Sequence, residues 1–400
     1  MDKIDELLNR GVEKIYPSKE ALEKVLRSGK RLRLYQGFDP SMPNLHLGNL
    51  VGILKLRQFQ DLGHEVIFLV GDFTGMIGDP TDKSATRPRL TRKQVLANAK
   101  NWKEQTERIL NFDGENPAKI MFNSQWNDKL TFKDLIEISS NFTVQQMIER
   151  DFFQRRISDG KPIFLHEFLY PLAQAIDSVK MDVDLEIGGS DQTFNMLVGR
   201  ILMKALKEKE KFVLSTKILV DSKGEKVGKT AGNALFLNAA PSEMFGGIMS
   251  FPDEVIPLAF ELLTKVPLAL IEQHRKAIQN DKVNPMDLKK QLAFEIVKLY
   301  HGGDLAKAAQ AEFERVFQKR QAPLDDLLIY YIKAGDWNIV DLLLETKLAP
   351  SKSEAKRLVR QGGVEVDGKQ LSVISCQLSV KNGMIIKAGK RRFVKLKLKD

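Results

Sequence analysis

Two short polar stretches, far apart in the chain, have the residue types needed to handle phosphate groups. The first is His46-Leu47-Gly48-Asn49, which follows a Gly-Phe-Asp-Pro turn and opens a predicted helix. A helix start offers unpaired backbone N–H groups and the positive end of a dipole, so it favours an anion. The second is a loop in which Lys226 and Lys229 flank Val227-Gly228, and two such lysines can stabilise charge that develops on a phosphate.

Neither stretch is a standard nucleotide fingerprint. The glycines near His46 do not form GxGxxG, so they do not predict a dinucleotide site. The lysine loop is not a Walker A loop, because with Gly228-Lys229-Thr230 as its end the first glycine should fall at Lys223. Gly224 is one place out of register. Each stretch taken alone is therefore a weak signal.

A third group of polar residues lies on one predicted helix. Tyr170, Gln174 and Asp177 are spaced i, i+4 and i+7, so they share one face of an otherwise apolar helix. Their convergence favours a binding site over a polar patch that is satisfied beneath a loop. The loop that follows carries small and polar residues that could reach the same site, namely Gly188, Gly189, Asp191 and Gln192.

A glycine-rich segment, residues 71–87, brings charged groups to the end of a predicted strand. In this segment Asp79 suits a cationic group, and Lys83 and Arg87 suit an anionic one. Loops at the carboxyl ends of parallel strands are where α/β sheets bind ligands. A glycine-rich turn is often only a turn, so the segment gains weight only beside the other motifs.

The sequence predicts that a parallel sheet with helices positions these residues. The strand from Arg31 to Phe38, the helix that stops at Gly63 and the strand from Val66 to Val70 predict a βαβ unit. The other predictions are one or two amphipathic helices over residues 1–30, strands at 119–123 and 212–214, and interrupted helix over 130–177.

The rest of the chain divides into a helical part and a basic terminal part. From 240 to about 321 the hydrophobic periodicity is purely helical. From Trp337 onward there are 14 Lys and Arg against 6 Asp and Glu, so this segment carries +8 of the total charge of +10. Lys352, Lys356 and Arg360 share one face of a predicted helix that precedes short strands. A basic α+β unit is typical of contacts with RNA phosphates, and a solvated charged surface is the alternative.

Composition argues against several other classes of protein. No apolar run approaches the ~18 residues of a membrane span, and the N-terminus lacks the apolar segment of a signal peptide. The single cysteine, Cys376, excludes an internal disulfide and a multi-cysteine zinc site. With 43% hydrophobic residues in 400, the chain can bury the cores of two or three domains. A cytoplasmic enzyme fits these features best.

In combination these segments resemble the bacterial tyrosyl-tRNA synthetases, which are class I aminoacyl-tRNA synthetases, over essentially the full chain. His46-Leu47-Gly48-Asn49 resembles the HIGH signature and Lys226 to Thr230 the KMSKS signature, in the family's order and about 180 residues apart. Two departures are Asn49 in place of the last His, and Val227-Gly228 between the lysines. The tyrosine branch is indicated by Tyr35-Gln36-Gly37-Phe38-Asp39-Pro40, Gly78-Asp79-Pro80, Tyr170-Pro171-Leu172-Ala173-Gln174 and Gly188-Gly189-Ser190-Asp191-Gln192.

The resemblance implies an α/β fold with three domains. A Rossmann-like parallel-sheet catalytic domain would span residues 1–235, with a helical dimerisation insertion at about 125–185. An α-helical anticodon-region domain would span 236–330, and a small α+β S4-like RNA-binding domain would span 337–400. The resemblance also implies a homodimer in the cytoplasm, with no membrane partner, that binds tyrosine and tRNA(Tyr). Its ATP would carry Mg²⁺, and no protein-bound metal such as zinc is expected.

The same resemblance assigns roles residue by residue. Tyrosine would be bound by Tyr35, Asp79, Tyr170, Gln174, Asp177 and Gln192, with Tyr35 and Asp177 at the phenol. ATP would be bound by Gly37, Asp39, Ser41, His46, Gly48, Asn49, Gly189, Asp191, Leu219, Val220 and Lys229. Catalytic contacts to the phosphates would come from His46, Asn49, Lys83, Arg87, Lys226, Lys229 and Thr230. RNA would be contacted by Lys352, Lys356, Arg357 and Arg360.

The insertion is rich in apolar residues, and two explanations are open for them. They could form a dimer interface or belong to the internal core. The residues concerned lie between Asn141 and Pro171 and are Phe142, Met147, Phe152, Phe153, Phe164 and Phe168.

Three other functions are weighed against this one. A tryptophanyl-tRNA synthetase, the nearest alternative, should lack a Tyr/Asp pair suited to a phenol. An RNA-binding or splicing-type protein on a synthetase scaffold would not need His46, Lys226 and Lys229 together. A generic nucleotidyltransferase would not account for the basic terminal unit.

Overall fold

A six-stranded sheet organises the first part of the chain. The computed structural model describes residues 2–79, 89–227, 234–318, 328–389 and 392–399. In spatial order the strands are β1 (Val12–Tyr16), β6 (Phe212–Thr216), β5 (Leu185–Gly189), β2 (Arg33–Phe38), β3 (Glu65–Val70) and β4 (Lys119–Phe122). β1 is antiparallel to β6, and the other neighbouring strands are parallel. The inner strands β3 and β5 are buried along almost their whole length, as expected for a parallel sheet covered on both faces.

The N-terminal segment differs from its prediction. Only helix was expected over residues 1–30, but helix α1 (Lys3–Asn9) and helix α2 (Lys19–Arg27) are separated by strand β1. β1 pairs along the edge of β6, and its Ile15 is buried. A partner that lies about 200 residues away supplies the backbone hydrogen bonds, so tertiary pairing overrides the local periodicity.

The βαβ unit is present as predicted. Helix α3 (Leu47–Asp61) connects β2 to β3, with His46 at its N-cap position. The chain turns at Gly63, whose φ of 84° is in the left-handed region that glycine adopts easily. Six further helices of this part of the chain are α4 (Thr74–Ile77), α5 (Arg92–Ala99), α6 (Trp102–Thr106), α7 (Ser124–Asn127), α11 (Leu169–Met181) and α12 (Thr193–Lys207). Two 3₁₀ segments lie at Leu165–Phe168 and Ser190–Gln192.

Three short helices form the insertion, and their apolar residues divide between core and surface. They are α8 (Phe132–Ser139), α9 (Val144–Ile148) and α10 (Asp151–Ser158). Met147 and Phe153, two of the residues considered for a dimer interface, are buried in the protein's own core. Phe164, another of those residues, is exposed, and so are Phe132, Ile136, Val144, Ile157 and Leu165.

The helical part follows as predicted. It consists of α13 (Pro241–Met249), α14 (Ile256–Leu263), α15 (Leu268–Gln279), α16 (Pro285–His301) and α17 (Gly303–Phe313), with a 3₁₀ segment at Asp253–Val255 and a π-helical segment at Glu314–Gln318. Proline at the first or second position begins three of these helices, where no backbone N–H is needed. By internal contacts the chain forms two units, Met1–Gly303 and Asp304–Asp400. The predicted boundaries near 235 and 330 stay predictions.

The second unit is a small α+β structure. Its five-stranded sheet has the order β10 (Lys369–Leu371), β9 (Val364–Val366), β12 (Ile385–Ala388), β13 (Arg392–Leu398) and β7 (Leu328–Ile332). Strands β8 (Asp336–Asn338) and β11 (Gln377–Ser379) form a separate pair, and the helices that follow α17 in this unit are α18 (Ile339–Glu345) and α19 (Lys352–Arg360). Leu343, Val359 and Ile386 are fully buried between helices and sheet.

The predicted α/β fold class is confirmed by this architecture together with the helical insertion and the small terminal unit. Within the described ranges, no helix combines the length and apolar character needed to cross a membrane.

Candidate active site

A cavity of about 240 Å³ lies at the carboxyl ends of β2, β5 and β6, beside the start of α3. Most of the predicted site residues line it, although they come from segments up to 190 residues apart. They are Tyr35, Gly37, Asp39, Ser41, His46, Gly48, Asn49, Asp79, Tyr170, Gln174, Asp177, Gly189, Asp191, Gln192, Leu219 and Lys226. A cavity at this edge of a parallel sheet is where such folds bind ligands.

The start of α3 is held by its own side chains. The carbonyl oxygen of the Asn49 side chain accepts a hydrogen bond from the backbone N–H of His46 at 3.0 Å. This use of the oxygen leaves the Asn49 amide NH₂ as the group able to donate to a ligand. A Cβ on Gly48 would lie 2.9 Å from Cε1 of His46, so glycine is needed here to let the imidazole fold back over the helix start.

Asp177 is a buried carboxylate with three hydrogen-bond donors. Its Oδ1 accepts from Trp126 Nε1 at 2.7 Å and from Asn127 Nδ2 at 3.1 Å, and its Oδ2 accepts from Asn123 Nδ2 at 3.1 Å. Burial raises the pKa of Asp177 well above its ordinary value, and the three donors oppose that rise. An acceptor so deeply placed in a cavity suits a ligand hydroxyl that can donate to it.

Tyr35 is fully buried and is one of the residues that line the cavity. The hydroxyl lies 3.0 Å from Oγ of Ser178. Burial, and then the charges of Glu186 and Asp177, raise the pKa of Tyr35 well above its ordinary value. Tyr35 therefore stays a neutral phenol that can donate or accept one hydrogen bond toward a ligand.

Asp39 receives two hydroxyl donors that fix its orientation. Tyr170 donates to Oδ2 at 2.8 Å and Thr74 donates to Oδ1 at 2.6 Å. A Cβ on Gly71 would lie 2.1 Å from Oδ1 of Asp39, so only glycine allows this placement of the carboxylate. Because Tyr170 gives its single hydrogen to Asp39, the Tyr170 oxygen faces the cavity as an acceptor.

Asp79 is held at the cavity wall by neighbouring polar groups. Gln192 Nε2 donates to its Oδ2 at 2.6 Å, and Arg150 Nη2 lies 3.7 Å from its Oδ1. Asn195 Nδ2 in turn donates to Oε1 of Gln192 at 2.9 Å, which sets the direction of the Gln192 amide. Asp79 is thus a positioned carboxylate in a site where a cationic group was predicted.

Lys226 is paired with a residue that was itself predicted to bind ligand. Its Nζ lies 2.8 Å from Oδ2 of Asp191. The loop that carries Lys226 folds back on the preceding residues. Lys226 forms an isolated antiparallel β-bridge with Val220, and the Val227 N–H donates to the Leu219 carbonyl at 2.9 Å. Leu219 lines the cavity, whereas Val220 contributes by holding the loop at Lys226 through this β-bridge. The Lys226 ammonium group has three donors, so it can contact a phosphate as well as the Asp191 carboxylate.

Four predicted residues lie outside the described ranges, namely Lys83, Arg87, Lys229 and Thr230. Their roles stay predictions. In the described part of the chain, no cluster of three or more His, Cys, Asp or Glu residues is arranged to hold a metal ion.

The predicted RNA-binding residues lie on α19 in the second unit. Lys352, Lys356 and Arg360 are exposed on this helix. Arg357 is exposed as well, but its guanidinium donates to Glu354, with Nη2 2.8 Å from both carboxylate oxygens and Nε 3.1 Å from Oε2. Its charge is therefore partly neutralised, whereas Lys356 and Arg360 give the helix its basic face.

Sequence reasoning missed the donors that hold Asp177. Asn123, Trp126 and Asn127 follow directly after strand β4, in the sequence Asn-Ser-Gln-Trp-Asn. The signal was the position of this polar and aromatic cluster at the carboxyl end of a predicted parallel strand. Thr74 was missed in the same way, since it lies inside the glycine-rich segment as an ordinary small polar residue.

Comparison with known protein families gives two adjoining matches. Residues 27–318 match the family described as tRNA synthetases class I (W and Y). Residues 320–396 match the Tyrosine--tRNA ligase SYY-like C-terminal domain.

Curated proteins resemble the chain from end to end. The Tyrosine--tRNA ligase of Thermotoga maritima is 44% identical over 98% of this chain and 96% of its own length. The corresponding ligase of Moorella thermoacetica is 43% identical over 98% of this chain and 94% of its own. That of Haemophilus influenzae is 43% identical over 98% of this chain and 96% of its own.

Solved structures share the fold at lower identity. A C-terminally truncated mitochondrial tyrosyl-tRNA synthetase of Aspergillus nidulans has a TM-score of 0.65 and 23% identity, covering 79% of this chain and 94% of its own. A tyrosyl-tRNA synthetase of Archaeoglobus fulgidus, solved with L-tyrosine, has a TM-score of 0.58 and 20% identity, covering 78% of this chain and all of its own. Both likenesses support the fold described above.

Proposed function

We propose the following roles from the premise that the chain belongs to the class I tRNA synthetases and, among them, to the tyrosine–tRNA ligases. It activates tyrosine with ATP to tyrosyl-adenylate and pyrophosphate, and then transfers tyrosine to the 3′ end of tRNA(Tyr). The observation that carries the site roles is the pairing of two buried hydroxyl-binding groups, Tyr35 and Asp177, at one cavity.

The phenol of the substrate binds between Tyr35 and Asp177. A carboxylate that already holds three donors can accept the phenol hydrogen, and the phenol oxygen can accept from a neighbouring hydroxyl. Phenylalanine has no hydroxyl, so the hydrogen bonds that tyrosine makes with Tyr35 and Asp177 would be lost, at a cost of about 1–3 kcal/mol for each. Tyrosyl-tRNA synthetases are themselves the standard example of strong discrimination of this kind without editing, and the geometry here explains the direction of that preference.

The α-ammonium group of tyrosine binds to three acceptors, Asp79, Tyr170 and Gln174. Asp79 supplies the negative charge, held in place by Gln192. Tyr170 supplies an oxygen whose hydrogen is committed to Asp39, and the Gln174 amide donates its Nε2 to Glu186 at 2.9 Å. Both neutral groups therefore present oxygen rather than hydrogen to the cavity, as an ammonium ion requires.

ATP binds along the start of α3 and the loop that carries Lys226. His46 and Asn49 face the phosphates and ribose, together with the backbone at Gly37 and Gly189. A tyrosine carboxylate oxygen attacks the α-phosphorus, the new P–O bond forms, and the bond to the pyrophosphate oxygen breaks. No covalent enzyme intermediate is needed, so the protein contributes positioning and stabilisation of charge on the leaving phosphates.

Lys226 acts on that developing charge, together with the predicted Lys83, Arg87, Lys229 and Thr230. ATP enters as its Mg²⁺ complex, with the ion held mainly by phosphate oxygens and water, as is usual for Mg²⁺ with nucleotide substrates. Asp39 and Asp191 line the same cavity and orient the amino acid and the ribose.

The second unit binds tRNA through the basic face of α19. Lys356 and Arg360 are the exposed cations of that face, and phosphate contacts of this kind release counterions. We assign this unit the role of an S4-like RNA-binding module and the helices from α13 onward the anticodon region. We propose the cytoplasm as the location of the enzyme, since tRNA charging requires these substrates together.

A homodimer forms through the insertion. The support for this interface is the set of exposed apolar side chains within and next to the insertion, in which Phe132 is 78% exposed, Val144 71% and Leu165 79%. Large apolar side chains left this open are typical of a surface covered by another chain. A second copy is the occupant because the family resemblance implies a homodimer. Sedimentation at micromolar concentration tests it: a dimer is expected, and a monomer for Val144→Asp.

The function as a whole is tested by ATP–pyrophosphate exchange measured across the twenty amino acids, followed by charging of bulk tRNA. Exchange is expected with tyrosine and at most weakly with phenylalanine or tryptophan. Tryptophan-dependent exchange would overturn the assignment of the phenol site, and absence of any exchange would overturn the activity.

A further inference from the structure

A fully buried ion pair lies behind the floor of the tyrosine site. Lys211 and Glu186 have 0% and 1% of their side chains exposed, and Lys211 Nζ donates to Oε2 of Glu186. Neither residue lines the cavity, and neither carries a predicted role. Burial lowers the pKa of Lys211, and the charge of Glu186 opposes that shift. Taking two charges out of water is costly, so a pair at this depth calls for an explanation.

The pair reaches the phenol-binding group through Ser178. Lys211 Nζ donates to Ser178 Oγ at 2.8 Å, and an ammonium group cannot accept in return. The single hydrogen of Ser178 then goes either to Tyr35, at 3.0 Å, or to Glu186, at 3.3 Å. Donation to Tyr35 is the shorter contact, and it leaves the Tyr35 hydrogen to be given either to Glu186 or to a group in the cavity.

This direction of donation is the one that a bound phenol requires. The phenol has one hydrogen, which Asp177 as a carboxylate can only accept. The phenol oxygen must then accept from Tyr35. The hydrogen bonds therefore run one way from Lys211 through Ser178 and Tyr35 to the phenol and Asp177, and such chains strengthen one another at low dielectric.

The same pair reaches the ammonium end of the site through its other carboxylate oxygen. Glu186 Oε1 accepts from Nε2 of Gln174 at 2.9 Å. A carboxylate can only accept, so the Gln174 amide has to present its nitrogen to Glu186 and its oxygen to the cavity. A glutamine at 186 would allow either orientation of the Gln174 amide.

Helix α12 leaves room for this arrangement with a glycine. A Cβ on Gly199 would lie 2.6 Å from Lys211 Nζ and 3.1 Å from Ser178 Oγ. Glycine is less favourable than alanine in a helix interior. Its presence where the ion pair approaches shows that this packing depends on the close fit of the network against the helix.

We propose that the buried Lys211–Glu186 pair is the positioning element of the amino-acid site, setting hydrogen-bond direction at Tyr35 through Ser178 and at Gln174 through Glu186. This rests on the proposed function of the cavity and adds residues to it that do not touch the substrate. The two arms act on opposite ends of tyrosine, so they have different kinetic signatures.

The Ser178 arm is tested with Ser178→Ala and with Ser215→Ala as a matched control. Ser215 is also buried, but its Oγ donates to the Lys14 carbonyl at 3.0 Å on the far edge of the sheet. Ser178→Ala is expected to raise KM for tyrosine about five- to tenfold, the size of one hydrogen bond, with kcat of exchange unchanged. kcat/KM for phenylalanine should not change, so the tyrosine-to-phenylalanine ratio falls by the same factor, while Ser215→Ala keeps both values.

The Glu186 arm is tested with Glu186→Gln, with Glu167→Gln as its control. Glu167 is equally buried and paired with Arg156, but lies in the insertion. Glu186→Gln is expected to raise KM for tyrosine and phenylalanine together by roughly tenfold or more, because both share the ammonium group, while their ratio changes less than twofold. Glu167→Gln should leave KM for both amino acids unchanged.

The outcomes separate this proposal from the function on which it rests. If the native enzyme shows no tyrosine-dependent exchange, the proposed function fails first. If the native enzyme is active but Ser178→Ala lowers kcat/KM for both amino acids equally, or leaves the ratio unchanged, the positioning role is overturned. Should Ser178→Ala lose its cooperative thermal transition, Ser178→Cys retains a weak donor and must still reduce the ratio by a smaller factor.

Discussion

Tyr170 donates its only hydroxyl hydrogen to Oδ2 of Asp39 at 2.8 Å, so one carboxylate decides what a tyrosine on a different element can offer to the substrate. Burial, and then the charge of Asp39, raise the pKa of Tyr170 well above its ordinary value. The phenol therefore stays protonated at working pH, and its oxygen remains an acceptor toward the cavity.

Tyr170→Phe removes that acceptor and is expected to raise KM for tyrosine about tenfold, one hydrogen bond to a charged group. KM for phenylalanine should rise by the same factor, because both amino acids carry the ammonium ion. Tyr300→Phe is the matched control, since Tyr300 is also buried but donates to the Gln105 carbonyl. Pyrophosphate exchange with both amino acids measures the effect. A rise in KM for tyrosine alone would mean that Tyr170 contacts the phenol and not the ammonium group.

Lys226→Ala should slow adenylate formation by ~10²–10³ with little change in tyrosine affinity, because Lys226 acts on charge that appears only in the transition state. Lys223→Ala, in the same loop and exposed, is the control and should stay at the native rate. Stopped-flow measurement of adenylate formation decides this. A Lys226→Ala enzyme with the native rate and weakened tyrosine binding would make the Asp191 pairing a purely ground-state contact.

The burial of Lys55 leads us to predict that the stability of the protein depends on pH. It is fully buried on α3 and donates to the carbonyls of Leu7 at 2.8 Å and Arg10 at 2.7 Å. Burial, and then the charge of Arg10, lower the pKa of Lys55 to about 7 from 10.5. Between these values the unfolded chain binds the extra proton, so the free energy of unfolding rises with pH.

Between pH 7 and 10 the free energy of unfolding of the native protein, relative to that of Lys55→Met, is expected to rise by about 1.4 kcal/mol per pH unit. Below pH 7 that difference should be flat. Chemical denaturation at several pH values gives the curve, and Lys100→Met, at an exposed lysine, should show no such slope relative to native. A flat curve throughout would mean that Lys55 keeps its charge when buried.

We expect that removing the basic face of α19 impairs tRNA binding without affecting tyrosine activation. Replacing Lys356 and Arg360 by alanine should raise KM for tRNA in charging and leave tyrosine-dependent exchange at the native rate. The slope of log affinity against log salt should become shallower by about 1.5, since two phosphate contacts are lost. Lys369→Ala with Lys381→Ala removes the same charge from other exposed positions of this unit and should leave the slope unchanged.

Sequence reasoning found the residues whose chemistry is visible locally. His46 begins a helix, and Tyr170, Gln174 and Asp177 follow a helical spacing, so short-range geometry was enough to bring them to one site. Glu186 and Lys211 gave no such signal. Each is one charged residue beside apolar strand residues, and only the parallel pairing of β5 and β6 puts them together. Long-range pairing of this kind also explains why β1 was mistaken for helix.

The edge position of β1 has a consequence for the order in which the protein matures on the ribosome. Tyr16 leaves the ribosome about 200 residues before Phe212, the start of the strand to which β1 must pair. At about 5–20 residues per second of synthesis, β1 waits roughly 10–40 s for its partner. During that time β2 and β3 can already assemble around α3. The waiting strand buries only Ile15 and carries Glu13 and Lys14, so it is poorly suited to pair with another nascent chain.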